Sequence, residues 1–383
     1  MKYYLIAGEA SGDLHGSNLM KGLYAKDPAA DIRFWGGEKM DAVFREHQSG
    51  TGLVRDYRSG AVMGIVEVMR KGVSLLRRVS FCKADIAAWN PDVVVLIDYP
   101  GFNFKIARFA HEAGYKVFYY IAPKVWASRE GRIRKLKAWV DRLFIVFPFE
   151  VPYFESKGIP FTYVGNPLLD AIDGSPALRE SRASFLQRTG LPDAPSIALL
   201  AGSRSMEIGT MMPTFMALAD AWHARHPEFH FVVAAAPSRS MSDYSKYLGN
   251  RDFVHVVFGE TYGALRHSSA AVINSGTASL EAALIGTPQV VGYRLNAITY
   301  QLARFMVHVH YISLANLILD KAAFKELIQN DFKVENLLPE LERLVFDEAC
   351  RETMRKDYAS VRTLLGGSGA SLAVATAMIE ALS

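Results

Sequence analysis

Five consecutive aliphatic residues, Val93-Val94-Val95-Leu96-Ile97, have no polar residue among them. Side chains along a strand alternate between the two faces of its sheet, so a run with no polar side is buried on both. A parallel sheet covered by helices on each face provides that environment. The neighbouring sequence repeats the theme. Lys2–Ala7, Ile32–Trp35, Val117–Ile121, Leu143–Val146 and Thr162–Val164 read as strands, with Leu14–Ala25 and Asn103–Ala113 as helices among them. This βαβα order predicts an α/β fold with a doubly wound parallel sheet.

A second alternation follows a break. Between Asp173 and Pro195 stand Gly174, Pro176, Gly190, Pro192 and Pro195, which is linker composition. Ile197–Leu200, Phe231–Ala235, Val254–Val257, Ala271–Ile273 and Val290–Tyr293 then read as strands. Val334–Phe346, Glu348–Leu364 and Ser371–Ala381 read as closing helices. A length of 383 residues suits two domains. The expectation is a first doubly wound domain over 1–172, a linker over 173–195, a second over 196–365, and a C-terminal helix in 366–383 that packs back on the first domain. Two such domains are expected to leave a cleft, with ligands at the carboxyl ends of their strands.

Half of the residues are hydrophobic and 21% are charged, which excludes global disorder. No apolar stretch reaches the roughly 18 residues that span a bilayer. The N-terminal run to Ala7 is too short for a signal-peptide core, and Glu9 and Asp13 follow at once. The expected location is therefore cytoplasmic. A net charge of +4 does not argue for a nucleic-acid partner. Cys82 and Cys350 form no CxxC pair, which argues against a disulfide scaffold and a structural zinc site.

The chemistry is expected in four loops after strands. Gly8-Glu9-Ala10-Ser11-Gly12-Asp13 is a glycine-bounded turn into a helix, with Glu9, Asp13 or His15 near a sugar hydroxyl. The alternative is a plain capped turn. Asp98 ends the apolar strand, where a carboxylate can accept a proton from an attacking hydroxyl or else cap the helix that follows, a place for which Asn103 is already well set. Gly202-Ser203-Arg204-Ser205-Met206-Glu207 combines a helix start with a guanidinium, a pairing suited to a diphosphate. Ser275-Gly276-Thr277-Ala278-Ser279-Leu280-Glu281 places hydroxyl and N–H donors before a glutamate that can hold a ribose. Capping and helix-dipole roles compete with that reading. Together the two later loops favour a sugar nucleotide.

Asp56–Arg78 is apolar and edged by cations. Val62, Met63, Ile65, Val66, Met69, Leu75 and Leu76 alternate with Arg70, Lys71, Arg77 and Arg78. Such a segment suits an interfacial membrane or acyl-chain contact, or else an ordinary helix with a solvated basic face. Arg129, Arg132, Arg134, Lys135 and Lys137 form a second basic cluster. The aromatic stretch Tyr293–Tyr311, with Phe305 and Met306, reads as a greasy channel or plain core.

In this order the motifs resemble the lipid-A-disaccharide synthase family, glycosyltransferases of the two-domain GT-B type. The resemblance runs almost end to end. It rests on Gly8–Asp13 with His15 and Gly16, Asp98-Tyr99-Pro100-Gly101-Phe102-Asn103, Pro123-Lys124-Val125-Trp126-Ala127 and Val164-Gly165-Asn166-Pro167-Leu168. It continues through Gly202-Ser203-Arg204 with Glu207-Ile208, Ser275–Glu281, Asn316-Leu317-Ile318 and Glu326-Leu327-Ile328-Gln329. It implies transfer from UDP-2,3-diacylglucosamine to the 6-hydroxyl of 2,3-diacylglucosamine 1-phosphate, with inversion to a β-1,6 linkage. Asp98 would be the base, with Glu9 and His15 as rivals. Gly202, Ser203, Arg204, Met206, Glu207, Ser275, Gly276, Thr277, Ser279 and Glu281 would bind the UDP-sugar. Asn316 and Gln329 match positions near the donor. The resemblance further implies no cofactor and no essential metal, peripheral attachment to the cytoplasmic face of the inner membrane, and a homodimer. It departs at Ala201, where the family pattern has proline. The rival readings are another UDP-sugar GT-B enzyme, such as a 2-epimerase, or a non-catalytic nucleotide-sugar-binding protein at the membrane.

Overall fold

A computed structural model describes residues 1–60, 67–126, 130–295 and 310–382. The expectations for Val62, Met63, Ile65, Val66 and the Met69 side chain lie outside the described residues, as do those for Arg129, Phe305 and Met306. The chain divides into two compact units. One joins Met1–Ala171 to Gly366–Ser383; the other is Ile172–Leu365.

The first unit holds seven parallel strands: β1 (Lys2–Ala7), β2 (Asp31–Gly36), β3 (Leu53–Asp56), β4 (Val93–Ile97), β5 (Lys116–Tyr120), β6 (Arg142–Ile145) and β7 (Phe161–Tyr163). Their order is β3-β2-β1-β4-β5-β6-β7. β4 is wholly buried, as its sequence requires. The helix Ala10–Lys26 covers part of the sheet, and the C-terminal helix Ala370–Glu380 packs along it. Asp170 fixes the start of that last helix by accepting from the N–H of Gly369 and, at 2.7 Å, of Ser371.

The second unit holds six parallel strands: β8 (Ser196–Leu200), β9 (His230–Ala235), β10 (Val254–Phe258), β11 (Ala270–Asn274), β12 (Gln289–Tyr293) and β13 (Glu326–Ile328). Their order is β10-β9-β8-β11-β12-β13. Residues 173–195 differ from a linker: they belong to this unit. The helix Arg182–Thr189 buries Phe185, and Arg182 donates to the carbonyls of His267 and Ala194. Proline and glycine mark its turns, but one buried aromatic ties the stretch down.

In both sheets the chain winds outward one way from the first strand, then returns to wind the other way. The order reverses between β1 and β4 in the first unit and between β8 and β11 in the second. Crossover connections leave an open crevice at such a reversal, beyond the carboxyl ends of the two strands.

Candidate active site

The loops singled out in the sequence occupy these two reversals. In the first unit Ala7 pairs with Ile97, so Gly8 and Asp98 leave the sheet side by side. Asp98 and Tyr99 both adopt left-handed backbone, with φ of 44° and 47°. Two consecutive non-glycine residues there are strained and need support. Support comes from both sides of Asp98. Its N–H donates to the Tyr120 carbonyl at 3.0 Å. Its carbonyl accepts from the Tyr119 hydroxyl at 2.7 Å and from Asn103 Nδ2 at 2.8 Å. The Tyr99 ring lies against Gly8, where a Cβ would fall 2.3 Å from a ring carbon. Only glycine lets these two loops meet.

Asn103 is therefore not a helix cap. The helix Pro100–Glu112 starts three residues earlier, with proline at its first position and Tyr99 as the cap. Asn103 instead turns back, fully buried, onto the strand ends.

The other acidic and basic candidates separate. Glu9 is exposed at the start of the helix Ala10–Lys26. Asp13 is buried and caps the helix Glu38–His47, accepting from the N–H groups of Gly37 at 2.7 Å and of Lys39 and Met40 at 3.1 Å each. Burial pushes its pKa up against the pull of those donors. His15 is withdrawn into the unit. Burial lowers its pKa to about 4, with Asp170 opposing, so it is neutral at pH 7. Of the three proton-acceptor candidates, Asp98 and Glu9 flank the reversal and His15 does not reach the surface.

Two further motifs converge on the end of β6. Trp126 Nε1 donates to Glu150 at 3.1 Å, and the other Glu150 oxygen accepts from the N–H groups of Val146 and Phe147, each at 3.0 Å. Asn166 donates to the Val146 carbonyl at 2.8 Å. Glu150 is fully buried, and desolvation raises its pKa to about 7 despite three donors. An unfolded glutamate titrates near 4.5, so Glu150 contributes stability below that pH and loses it as pH rises through 7. The loss is roughly 3 kcal/mol. Urea unfolding at pH 5 and pH 8 should show wild type losing more stability on going to pH 8 than Glu150→Gln does. An equal pH dependence in the two proteins would refute the assignment.

In the second unit Leu200 pairs with Ile273 across β8 and β11. Gly202 (φ 101°) begins the turn, and a Cβ on it would meet Glu207 Oε2 at 2.4 Å. That carboxylate accepts from the N–H groups of Ser203 at 2.9 Å and Arg204 at 3.1 Å, and its second oxygen takes the Arg204 guanidinium at 3.0 Å. Glu207, expected among the donor-sugar contacts, is bonded by both oxygens to its own loop. It is an internal anion that shapes the loop from within. Arg204 keeps 61% of its side chain exposed, and Met206 is 72% exposed. A second guanidinium joins them: Arg239, beyond β9, donates to the Ser203 carbonyl at 2.6 Å and Ser205 Oγ at 2.8 Å. No motif announces Arg239.

Across the reversal, Gly276 is exposed and Ser275 and Thr277 half-buried at the start of the helix Thr277–Ile285. Ser279 departs from the expectation. It is fully buried and its hydroxyl donates inward to the Gly276 carbonyl at 2.8 Å. Glu281 is half-buried and accepts from the Tyr262 hydroxyl at 3.1 Å. Burial and the nearby carboxylate push the Tyr262 pKa up, so that hydroxyl stays a donor. Asn316 is also buried, and its amide is spent inside the unit. It donates to Glu326 at 2.9 Å and accepts from the Ala323 N–H at 2.9 Å. Glu326 in turn holds the N–H groups of Ile312 and Ser313, and the Ile312 carbonyl accepts from Ser275 Oγ at 3.4 Å. Asn316 therefore reaches the loop through scaffold. Gln329 accepts from the Leu295 N–H at 2.9 Å.

On the helix Glu67–Trp89, Leu75 is half-buried against the core, while Leu76 and Phe81 are 58% and 49% exposed. Arg77 is exposed beside them. Arg78, expected on the basic edge, instead lies 5.9 Å from the rings of both Trp35 and Phe102. Among the described residues no helix is long and apolar enough to cross a membrane.

Comparison with known proteins supports the same architecture. A UDP-GlcNAc 2-epimerase from Neisseria meningitidis, solved with UDP-GlcNAc, superposes with a TM-score of 0.73 at 14% identity, covering 99% of this chain and 100% of that one. A spinosyn rhamnosyltransferase gives 0.56 at 13% identity, covering 98% and 99%. Identities so low speak to the fold alone, which is GT-B and serves epimerases and transferases alike. Sequence relatives decide between them. The lipid-A-disaccharide synthase of Geobacter metallireducens is 36% identical over 99% of this chain and 96% of its own length. That of Myxococcus xanthus is 35% identical over 99% and 97%. The profile of the lipid-A-disaccharide synthetase family matches residues 3–378, and the chain belongs to that family of glycosyltransferases.

Proposed function

We propose that the chain joins UDP-2,3-diacylglucosamine to 2,3-diacylglucosamine 1-phosphate, releasing UDP and the β-1,6-linked disaccharide 1-phosphate. The acceptor 6-hydroxyl oxygen attacks the anomeric carbon. The bond from that carbon to the diphosphate breaks, and the electron pair leaves with UDP. The hydroxyl proton passes to the Asp98 carboxylate. One attack on an α-linked donor inverts the centre and needs no covalent sugar intermediate. The observation that carries this reading is the supported Asp98 corner at the β1/β4 reversal. The second unit supports the other half of the chemistry: Arg204 and Arg239 flank one loop for the departing diphosphate, and Glu281 suits the ribose. Fixed cations beside a helix start stabilise charge where it develops. They can do so without a metal.

In this reading the first unit takes the acceptor and the lipid surface, and the second takes UDP. The protein works as a homodimer on the cytoplasmic face of the inner membrane. Two exposed apolar side chains, Leu76 and Phe81, with the exposed cation Arg77 between them, support the membrane contact. Replacing both with serine should weaken co-sedimentation with anionic vesicles roughly tenfold, while turnover of detergent-dispersed substrates holds. Unchanged sedimentation would remove this helix from the membrane contact.

The deciding experiment is UDP release by the purified protein with both diacylated substrates, in detergent and EDTA. Release that requires acyl chains on both sugars supports the reading. Release with unacylated UDP-GlcNAc alone would favour an epimerase-like or hydrolytic activity, and no release would leave only binding.

A further inference from the structure

We propose that Asn103 is a positioning residue for the transfer, acting with Tyr119 to hold Asp98 in its left-handed corner. The proposal rests on the reading of Asp98 as the base. Asn103 is 0% exposed, and its Nδ2 faces three carbonyls: Asp98 at 2.8 Å, Ile97 at 3.3 Å and Ile6 at 3.5 Å. Only the nitrogen end of a carboxamide can face three acceptors, which settles its orientation. The three carbonyls belong to the ends of β1 and β4, the two strands at the reversal. One side chain thus clamps both walls of the crevice.

The clamp acts on Asp98 in a specific way. A residue's carboxylate is placed first by its main chain and then by its own rotamers. The Asp98 N–H is held by Tyr120, and its carbonyl takes Asn103 and the Tyr119 hydroxyl together. With both flanking peptide groups anchored, only side-chain torsions remain to place the carboxylate. The Tyr119 hydroxyl is kept a donor because burial and the neighbouring Asp98 push its pKa well up. Without these two donors the strained corner has less to hold it, and Asp98 and Tyr99 can relax toward ordinary backbone. That moves the carboxylate even though no catalytic group has been removed.

The test compares Asn103→Ala and Tyr119→Phe with wild type, alone and combined with Asp98→Asn. Each protein is assayed for kcat, for KM of both substrates and for Tm. Asn103→Ala should lower kcat about 100-fold, the scale of a misplaced reacting group. Tyr119→Phe should lower it about tenfold, one hydrogen bond's worth. KM should stay within about threefold, since ground-state binding is untouched. In the Asp98→Asn background neither change should reduce the residual rate further, because the base they position is already gone. A purely structural role would lower Tm but leave the kcat of the folded protein intact, and that result would overturn the proposal. Losses that multiply with that of Asp98→Asn would overturn it too. If Asp98→Asn itself turns over at the wild-type rate, the base assignment fails and the proposal falls with it. Should Asn103→Ala not fold, Tyr119→Phe removes only a hydroxyl and carries the test alone.

Discussion

Asp98→Asn should lower kcat roughly 1,000-fold, the usual scale of a lost general base, while leaving KM for UDP-2,3-diacylglucosamine nearly unchanged. The substitution is chosen for the backbone. Asp98 sits at φ 44°, and asparagine and aspartate enter the left-handed region more readily than other side chains. The variant therefore keeps the corner, along with the bonds from Tyr119 and Asn103 to its carbonyl. What it loses is the carboxylate proposed to take the hydroxyl proton. The loops proposed to hold the diphosphate lie in the other unit, so UDP should bind as before. A kcat within threefold of wild type would move the base elsewhere. Glu9 is then the next candidate, because it is exposed at the same reversal. His15 is not, because it is buried.

Arg204→Ala should give a different kinetic signature. Here both kcat and UDP affinity fall, with kcat down about 100-fold, the scale of one lost donor to a developing anion. Stability should hardly change. Arg204 is mostly exposed, and its pair with Glu207 is a surface ion pair of small worth. Glu207 would still accept the N–H groups of residues 203 and 204 and keep the loop in shape. Arg204→Lys should recover only part of the rate, since an ammonium lacks the planar fork that binds two phosphate oxygens. Isothermal titration with UDP, beside the turnover assay, separates the two effects. Unaltered UDP affinity together with full kcat would leave Arg239 as the diphosphate cation and demote Arg204 to a surface residue.

These expectations draw on parts of the molecule that were unequally readable. The buried strands were plain. β1 and β4 match their expected bounds, and the other strands read from the sequence lie within a residue or so of theirs; the inner strands are apolar because they are covered on both faces, while the edge strands β7 and β10 are marked by β-branched and aromatic residues. The two strands not anticipated, β3 and β13, lie at sheet edges. Leu-Val-Arg-Asp and Glu-Leu-Ile are half-buried and mixed, so no periodicity separates them from loop. The pattern starts the helix after β4 three residues late because Asn103 looks like a cap. Its carboxamide has better partners in strands 97 residues away and nearer.

The site divides along the same line. Glycine, a charged residue and a helix start within a few positions are local signals, and they marked Gly8, Asp98, Gly202, Arg204 and Ser275–Glu281. What those residues do was decided elsewhere in the chain. Glu207 and Asp13 look like ligands in the sequence and are caps in the fold. Ser279 looks like a donor and faces inward. Glu150, Arg239 and Tyr262 carry no motif, yet each bonds to a residue or loop that does. Local chemistry is enough to show where a strand ends and where charge can gather, because burial and backbone freedom are set by near neighbours. The roles of polar side chains were left to tertiary structure. A hydrogen bond needs a partner within about 3 Å, and only the folded chain brings distant partners that close.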